Sequence, residues 1–305
     1  MILGILIIGG LLIAAGLHFS NIVIYPNVST PEAMREKEIE NENFDAAAFD
    51  AWERETITLT SPHGHQLFGL YFPIVDSHKT VIVVHGITNN HYGSVKYAQV
   101  FRRLGFNLLL VDLRYHGNSG GDFSSFGYYE KYDLQVWMDW VVTRCKQDAP
   151  DAAWLIGTHG ESLGGAAVLQ HAAIDPRLDF VVADCPFARL TDELTYRLKV
   201  EYHLPPFPLL PLASAITKLR CGFAFEDVAP VEMITKVKIP ILFIHGEADA
   251  YIPFEASVRL HAAKSDPKML HLIPDVQHAC ALSSDRDKYA QTIEKFLVDM
   301  VYTSN

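Results

Sequence analysis

"LIGTHGESLGGAAVLQHAA", Leu155 to Ala173, decides how the chain is read. An apolar run ends at Thr158 and a helical pattern begins after Leu163. Between them sit His159, Gly160, Glu161, Ser162, Leu163, Gly164 and Gly165. Gly-Glu-Ser-Leu-Gly fits the G-x-S-x-G elbow, in which a serine occupies a sharp strand-to-helix turn with its oxygen over the sheet edge. A side chain at either flanking position would clash, so glycine is required there. The Leu163 N–H then faces the place where a carbonyl oxygen would become an anion, and the helix N-terminus adds positive potential. Such a pentapeptide recurs by chance. A predicted strand before it and a helix after it give it weight. The bland alternative is a helix N-cap serine.

Working outward, β-branched apolar runs alternate with helical ones. Strands are expected over 80–85, 106–112, 153–159, 180–185, 240–245 and 269–273. Helices are expected over 94–104, 128–146, 162–174, 254–263 and 285–301. Two short runs, 55–60 and 65–72, flank the hairpin signal Pro62-His63-Gly64. Strands apolar throughout, with helices between them, mean a parallel sheet covered on both faces. Residues 186–239 break the rhythm. They hold Pro205-Pro206-Phe207-Pro208-Leu209-Leu210-Pro211 and read as a helical insertion.

The 305 residues carry 25 Lys plus Arg against 36 Asp plus Glu, a net charge of −11. An acidic chain with no basic stripe repels phosphate backbones, which sets nucleic acid aside as a partner. Cys145, Cys185, Cys221 and Cys280 lie far apart with no CxxC. They make neither a disulfide framework nor a familiar zinc spacing. His63 and His65 on a hairpin, with no third ligand, are a weak metal signal. No metal and no organic cofactor is expected.

Ile2 to Leu17 is wholly apolar, with no Lys or Arg before Arg35. As a helix that run spans about 24 Å, short of a ~30 Å bilayer core, and extension to Tyr25 closes the gap. Residues 1–26 are therefore expected to form a single-pass membrane anchor. A cleavable signal peptide, which would make the protein secreted, and a buried core helix are the competitors. Residues 27–54 read as a connector and 55–302 as the main domain.

Three strands end in His-Gly: His85-Gly86, His159-Gly160 and His245-Gly246. In a parallel α/β sheet, ligands bind beyond the carboxyl ends of the strands. Together "VIVVHGITNN", "VDLRYHGNSGG", "GTHGESLGG", "ILFIHGEADAYIP" and "PDVQHA" resemble the α/β-hydrolase superfamily over roughly residues 55–302. Within it the chain is most similar to the membrane-associated, Bem46-like serine hydrolases. The resemblance implies a mostly parallel twisted sheet of about eight strands, with helices on both faces and a small helical lid at 186–239.

The resemblance also implies Asp249 as the acid and His278 as the base, in the family's order Ser162…Asp249…His278. A serine hydroxyl needs a base to take its proton, and the base needs a carboxylate to hold its tautomer. His159, His245 and His116 are read as structural, and Asp275 and Glu247 are the rival acids. The H-G-x pattern places a second oxyanion donor at the Ile87 N–H, beside that of Leu163. Asp112 and Arg114 read as loop organisers. Tyr251, Phe187, Phe223 and Phe225 are candidate substrate contacts. The expected reaction is hydrolysis of a small-molecule carboxylic ester or acyl substrate through an acyl-enzyme. A peptidase or acyltransferase would use the same residues, and a catalytically silent binding protein is the rival of another class.

Overall fold

Side chains along a strand point alternately to its two faces, and here both faces are apolar. Ile82, Val84, Leu109, Val111, Val181, Ala183, Ile241 and Phe243 pack on one side of the sheet. Val81, Val83, Leu108, Leu110, Phe180, Val182, Leu242 and Ile244 pack on the other. That double burial is why the strands read as unbroken apolar runs.

The computed structural model describes residues 2–303, and their side chains except at 2–6 and 8. It contains one eight-stranded sheet, formed by β1 (Glu55–Thr60), β2 (Gln66–Phe72), β3 (Lys79–Val84), β4 (Asn107–Asp112), β5 (Leu155–Glu161), β6 (Phe180–Asp184), β7 (Ile241–Gly246) and β8 (Lys268–Ile273). The strand order is β1-β2-β4-β3-β5-β6-β7-β8. β2 pairs antiparallel with β1 and β4, and every other pair is parallel. This is the α/β-hydrolase fold that the motifs implied.

Preceding the sheet are α1 (Ile2–Ile24), α2 (Pro31–Glu40) and α3 (Ala46–Asp50). Between strands run α4 (His91–Arg103), α5 (Glu130–Asp148) and α6 (Leu163–Ala172). The β6–β7 connection is helical, with α7 (Leu190–Glu201), α8 (Leu209–Cys221) and α9 (Pro230–Met233). α10 (Glu255–Ala263), α11 (Ala281–Ser284) and α12 (Arg286–Phe296) follow, and a π-helical turn over Leu297–Val301 continues α12. α5 and α6 cover one face, through residues such as Trp137 and Leu169. α4 and α12 cover the other, through Phe101 and Phe296.

The N-terminal segment departs from expectation. Among the described residues, no helix is long and apolar enough to cross a membrane, which overturns the single-pass anchor. The physical reason lies in where the end of α1 goes. Val23 and Ile24 are buried in the core under the sheet. The Ser20 hydroxyl bonds the Thr217 hydroxyl of α8 at 2.8 Å, out of contact with solvent. Arg220 reaches Asn21 Oδ1 at 2.7 Å. At Gly16 a Cβ would stand 2.7 Å from Leu212, so glycine lets the two helices close. The carboxyl-terminal part of α1 is thus a packed element of the hydrolase body, close to the buried-helix competitor.

Candidate active site

The strand expected to stop at His159 runs on to Glu161 and delivers Ser162 straight from the sheet. Ser162 has φ 54° and ψ −114°, a conformation L-residues rarely adopt, and its side chain makes no cap bond to α6. The bland N-cap reading therefore fails. Strain of this kind concentrates at functional positions. The flanking glycines are steric necessities. A Cβ on Gly160 would lie 2.3 Å from the Gly164 carbonyl oxygen, and one on Gly164 would lie 2.4 Å from that of Val84. A Ser162 N–H bond of 2.8 Å to the Asp184 carbonyl pins the turn.

Three residues from distant segments meet here. His278 Nε2 lies 3.0 Å from Ser162 Oγ, and His278 Nδ1 lies 2.6 Å from Asp249 Oδ2. A carboxylate only accepts, so Nδ1 carries the proton and Nε2 is free to accept from the serine hydroxyl. Asp249 is anchored on both oxygens. Oδ1 accepts the N–H groups of Tyr251 and Ile252, each at 2.8 Å, and Oδ2 also accepts from His245 Nε2 at 3.1 Å. Burial works to raise its pKa, but hydrogen bonds from His245 and His278 outweigh that and hold the carboxyl well below the usual range. The rival acids Glu247 and Asp275 are exposed.

The other histidines serve structure. His85 accepts the Leu113 N–H at 3.0 Å and bonds the Gly86 carbonyl at 2.7 Å. Burial pushes it down to about 3, so it stays neutral. His159 bonds the Tyr289 hydroxyl at 2.9 Å, and His116 bonds the Arg114 carbonyl at 2.7 Å. Asp112 and Arg114 do organise loops. Asp112 receives the N–H groups of His91 and Asn118, and Arg114 Nε lies 2.8 Å from Asp133. Of the hairpin pair, His63 packs edge-on against Tyr129 and His65 sits 3.7 Å from Asp133.

Leu163 is the first residue of α6, where N–H groups have no intrahelical acceptor. Ile87 follows Gly86, whose Cβ, if present, would be 3.6 Å from Ser162 Cβ. Both residues line a cavity of about 260 Å³ that reaches Ser162. Phe187, Phe225 and Tyr251 line it too, with Phe19 and Val23 from α1 and Leu194 and Leu198 from α7. Phe223 does not. It is fully buried and stacks on Tyr128 at 5.4 Å between centroids.

A second cavity of about 500 Å³ meets the first at Ser162, and it is polar. Lys37, Glu38, Asn43, Asn89, Lys96, Glu161 and His278 line it. His278 apart, sequence reasoning missed these polar neighbours. Lys96 Nζ pairs with Glu161 at 2.7 Å, and Tyr97 OH donates to the same carboxylate at 2.5 Å. Burial raises the Glu161 carboxyl, and Lys96 and Tyr97 more than reverse it. Glu161 occupies a variable place of the elbow, and only the extension of β5 to that residue shows that its carboxylate is buried.

Tyr251 joins the two sides. Its ring lies 4.9 Å from that of His278, and the Arg197 guanidinium sits 3.8 Å from the centroid of the same Tyr251 ring. Cys185, Asp249 and His278 offer ligand atoms within 4.8 Å of one another. Burial pushes the Cys185 thiol well up, and Asp249 and His278 are engaged with each other. That donor set suits proton transfer better than metal binding, since a thiol must lose its proton to ligate.

Comparison with known proteins agrees with this architecture. Residues 93–303 match the prolyl oligopeptidase family. An uncharacterized Bacillus subtilis protein, YqkD, is 37% identical, covering 94% of this chain and 93% of its own. A lysophosphatidylserine lipase of Macaca fascicularis, ABHD12, is 27% identical over 62% of this chain and 46% of its own. The Pyrococcus furiosus esterase Pf2001 superposes with a TM-score of 0.67 at 21% identity, covering 85% of this chain and 96% of its own.

Proposed function

The chain belongs to the prolyl oligopeptidase family of hydrolases, and we propose that it cleaves carboxylic esters through an acyl-enzyme on Ser162. The observation that carries this reading is the Ser162–His278–Asp249 relay opening onto an apolar cavity. His278 Nε2 takes the Ser162 proton as Oγ attacks the carbonyl, and the Asp249 carboxylate stabilises the imidazolium that forms. The N–H groups of Ile87 and Leu163 hold the oxyanion. His278 returns the proton to the leaving alcohol, and water repeats the cycle to free the acid.

The apolar cavity takes the acyl chain, with Phe187, Phe225 and Tyr251 as its contacts. The finer kinship with Bem46-like serine hydrolases rests on the elbow and its neighbouring motifs. A relative named as a lipase is in keeping with an acyl ester. The family's own name favours a second reading, a serine peptidase, whose amide substrate would need the same relay.

A fluorophosphonate probe tests the nucleophile. One phosphonyl adduct on the peptide that contains Ser162, absent from Ser162→Ala, is expected. An unlabelled wild-type protein, or an adduct elsewhere, would contradict the mechanism. Comparing p-nitrophenyl butyrate with matched p-nitroanilides then separates esterase from peptidase.

A further inference from the structure

We infer that the acyl cavity contains a polar subsite built on Glu193, which takes a neutral hydroxyl carried on the acyl chain. The inference rests on the ester-hydrolase reading of that cavity. Glu193 lies on α7 among apolar neighbours: Phe187, Leu194, Leu198 and Ile252 share the lining. The residue is only 9% exposed, and its Oε1, among the described residues, has no hydrogen-bond partner. It also backs onto a smaller cleft of about 110 Å³. Buried polar atoms are nearly always paired, so an orphan in a cavity wall points to a partner that a ligand supplies.

The charge of that partner follows from the surroundings. Burial, aided by the nearby Asp249 charge and opposed by Arg197, pushes the Glu193 carboxyl up to about 8. At neutral pH it is therefore a carboxylic acid, with one O–H to donate and lone pairs to accept. Arg197 is already committed, lying over Tyr251 and ion-paired with Glu201. A cationic group would lie beside Arg197 and would have to strip the Glu193 proton. An anionic group would be drawn away from a neutral acid and repelled by Asp249. A hydroxyl both donates and accepts, which matches a protonated carboxyl group for group. The rest of the chain stays hydrocarbon, as the other walls demand.

The test is a ratio measured on one enzyme. kcat/KM is determined for p-nitrophenyl hexanoate and for its 3-hydroxy and 6-hydroxy analogues, with spontaneous release subtracted. One hydroxylated ester is expected to exceed hexanoate by roughly threefold to tenfold, the scale of one net hydrogen bond. Glu193→Gln keeps a donor and an acceptor and should preserve the ratio. Glu193→Leu should bring it below one. Hexanoate preferred by the wild type, or a ratio unchanged in Glu193→Leu, would overturn the subsite while leaving ester hydrolysis standing. No turnover of any ester, with Ser162 unlabelled by the fluorophosphonate, would overturn the esterase reading and the subsite with it.

Discussion

Two cavities meet at Ser162, and they are built on opposite principles. The one under α1, α7 and α8 is lined by Phe19, Val23, Leu198 and Phe225. The one under α2 and α4 is lined by Lys37, Glu38, Lys96 and Glu161. In the first, the walls are mostly apolar, Arg197 and Glu201 pair with each other, and Glu193 responds to burial by keeping its proton. In the second, buried charges persist because they neutralise one another: Lys96 and Glu161 both remain ionised although both are buried. Ser162 thus has an apolar side and a polar side, which in the proposed esterase suit a hydrocarbon acyl group and a polar leaving group with water. Both sides borrow a wall from the segment that precedes the sheet.

The largest effect breaks both sides at once. Ser162→Ala and His278→Ala are each expected to lower kcat/KM on an activated ester by about 10³-fold or more. His159→Ala should instead act on folding, since its partner is Tyr289. Steady-state kinetics and a melting curve on the three variants separate these outcomes.

The polar side comes next. Lys96→Met strands a buried Glu161 carboxylate, which costs about 3–5 kcal/mol of stability. Lys96→Met combined with Glu161→Gln should recover most of that loss. Urea unfolding reads both, and equal stability of the single and double variants would mean that water already screens the pair.

On the apolar side, Ile24→Ala removes a fully buried side chain of α1 and is expected to cost about 2–5 kcal/mol. Its long-chain esterase activity should fall with it. A neutral result in the same urea assay would show that α1 is dispensable to the wall.

The smallest effect is a titration. The Glu193 carboxyl is raised from 4.5 to about 8, so the folded state holds its proton more tightly than the unfolded one. The stability this confers is fully present below the unfolded value and lost as pH rises through about 8. A carboxylate in an apolar cavity also weakens acyl binding, so KM for p-nitrophenyl hexanoate should rise roughly twofold to fourfold above pH 8. Glu193→Gln should flatten that rise.

The sheet was legible because its strands are buried on both faces, which leaves unbroken runs such as Leu108–Val111 that no helix would need. The elbow was legible because only glycine fits at positions 160 and 164, a local steric demand written locally. Asp249 and His278 came with the family resemblance, since residues 29 apart in sequence carry no spacing that brings them together. What stayed hidden depends on contacts across long separations. Nothing in Ile2–Leu17 announces that Ser20 will bond Thr217, 197 residues away, so an apolar helix was read as a membrane span. Likewise Glu38, Lys96 and Glu161 come from three separate segments, and each alone looks like a surface charge. Phe223 and Phe225 are neighbours of equal chemistry, and only the turn between them decides which lines the cavity.

The most direct measurement is kcat/KM along a p-nitrophenyl series from acetate through butyrate and hexanoate, set beside a matched p-nitroanilide series. Each methylene buried in the apolar cavity contributes up to about 0.8 kcal/mol until the space is full. The rate constant should therefore climb from acetate towards hexanoate, with esters ahead of anilides throughout. A flat or falling ester series, or faster cleavage of the anilides, would contradict an ester hydrolase with an acyl-binding apolar side.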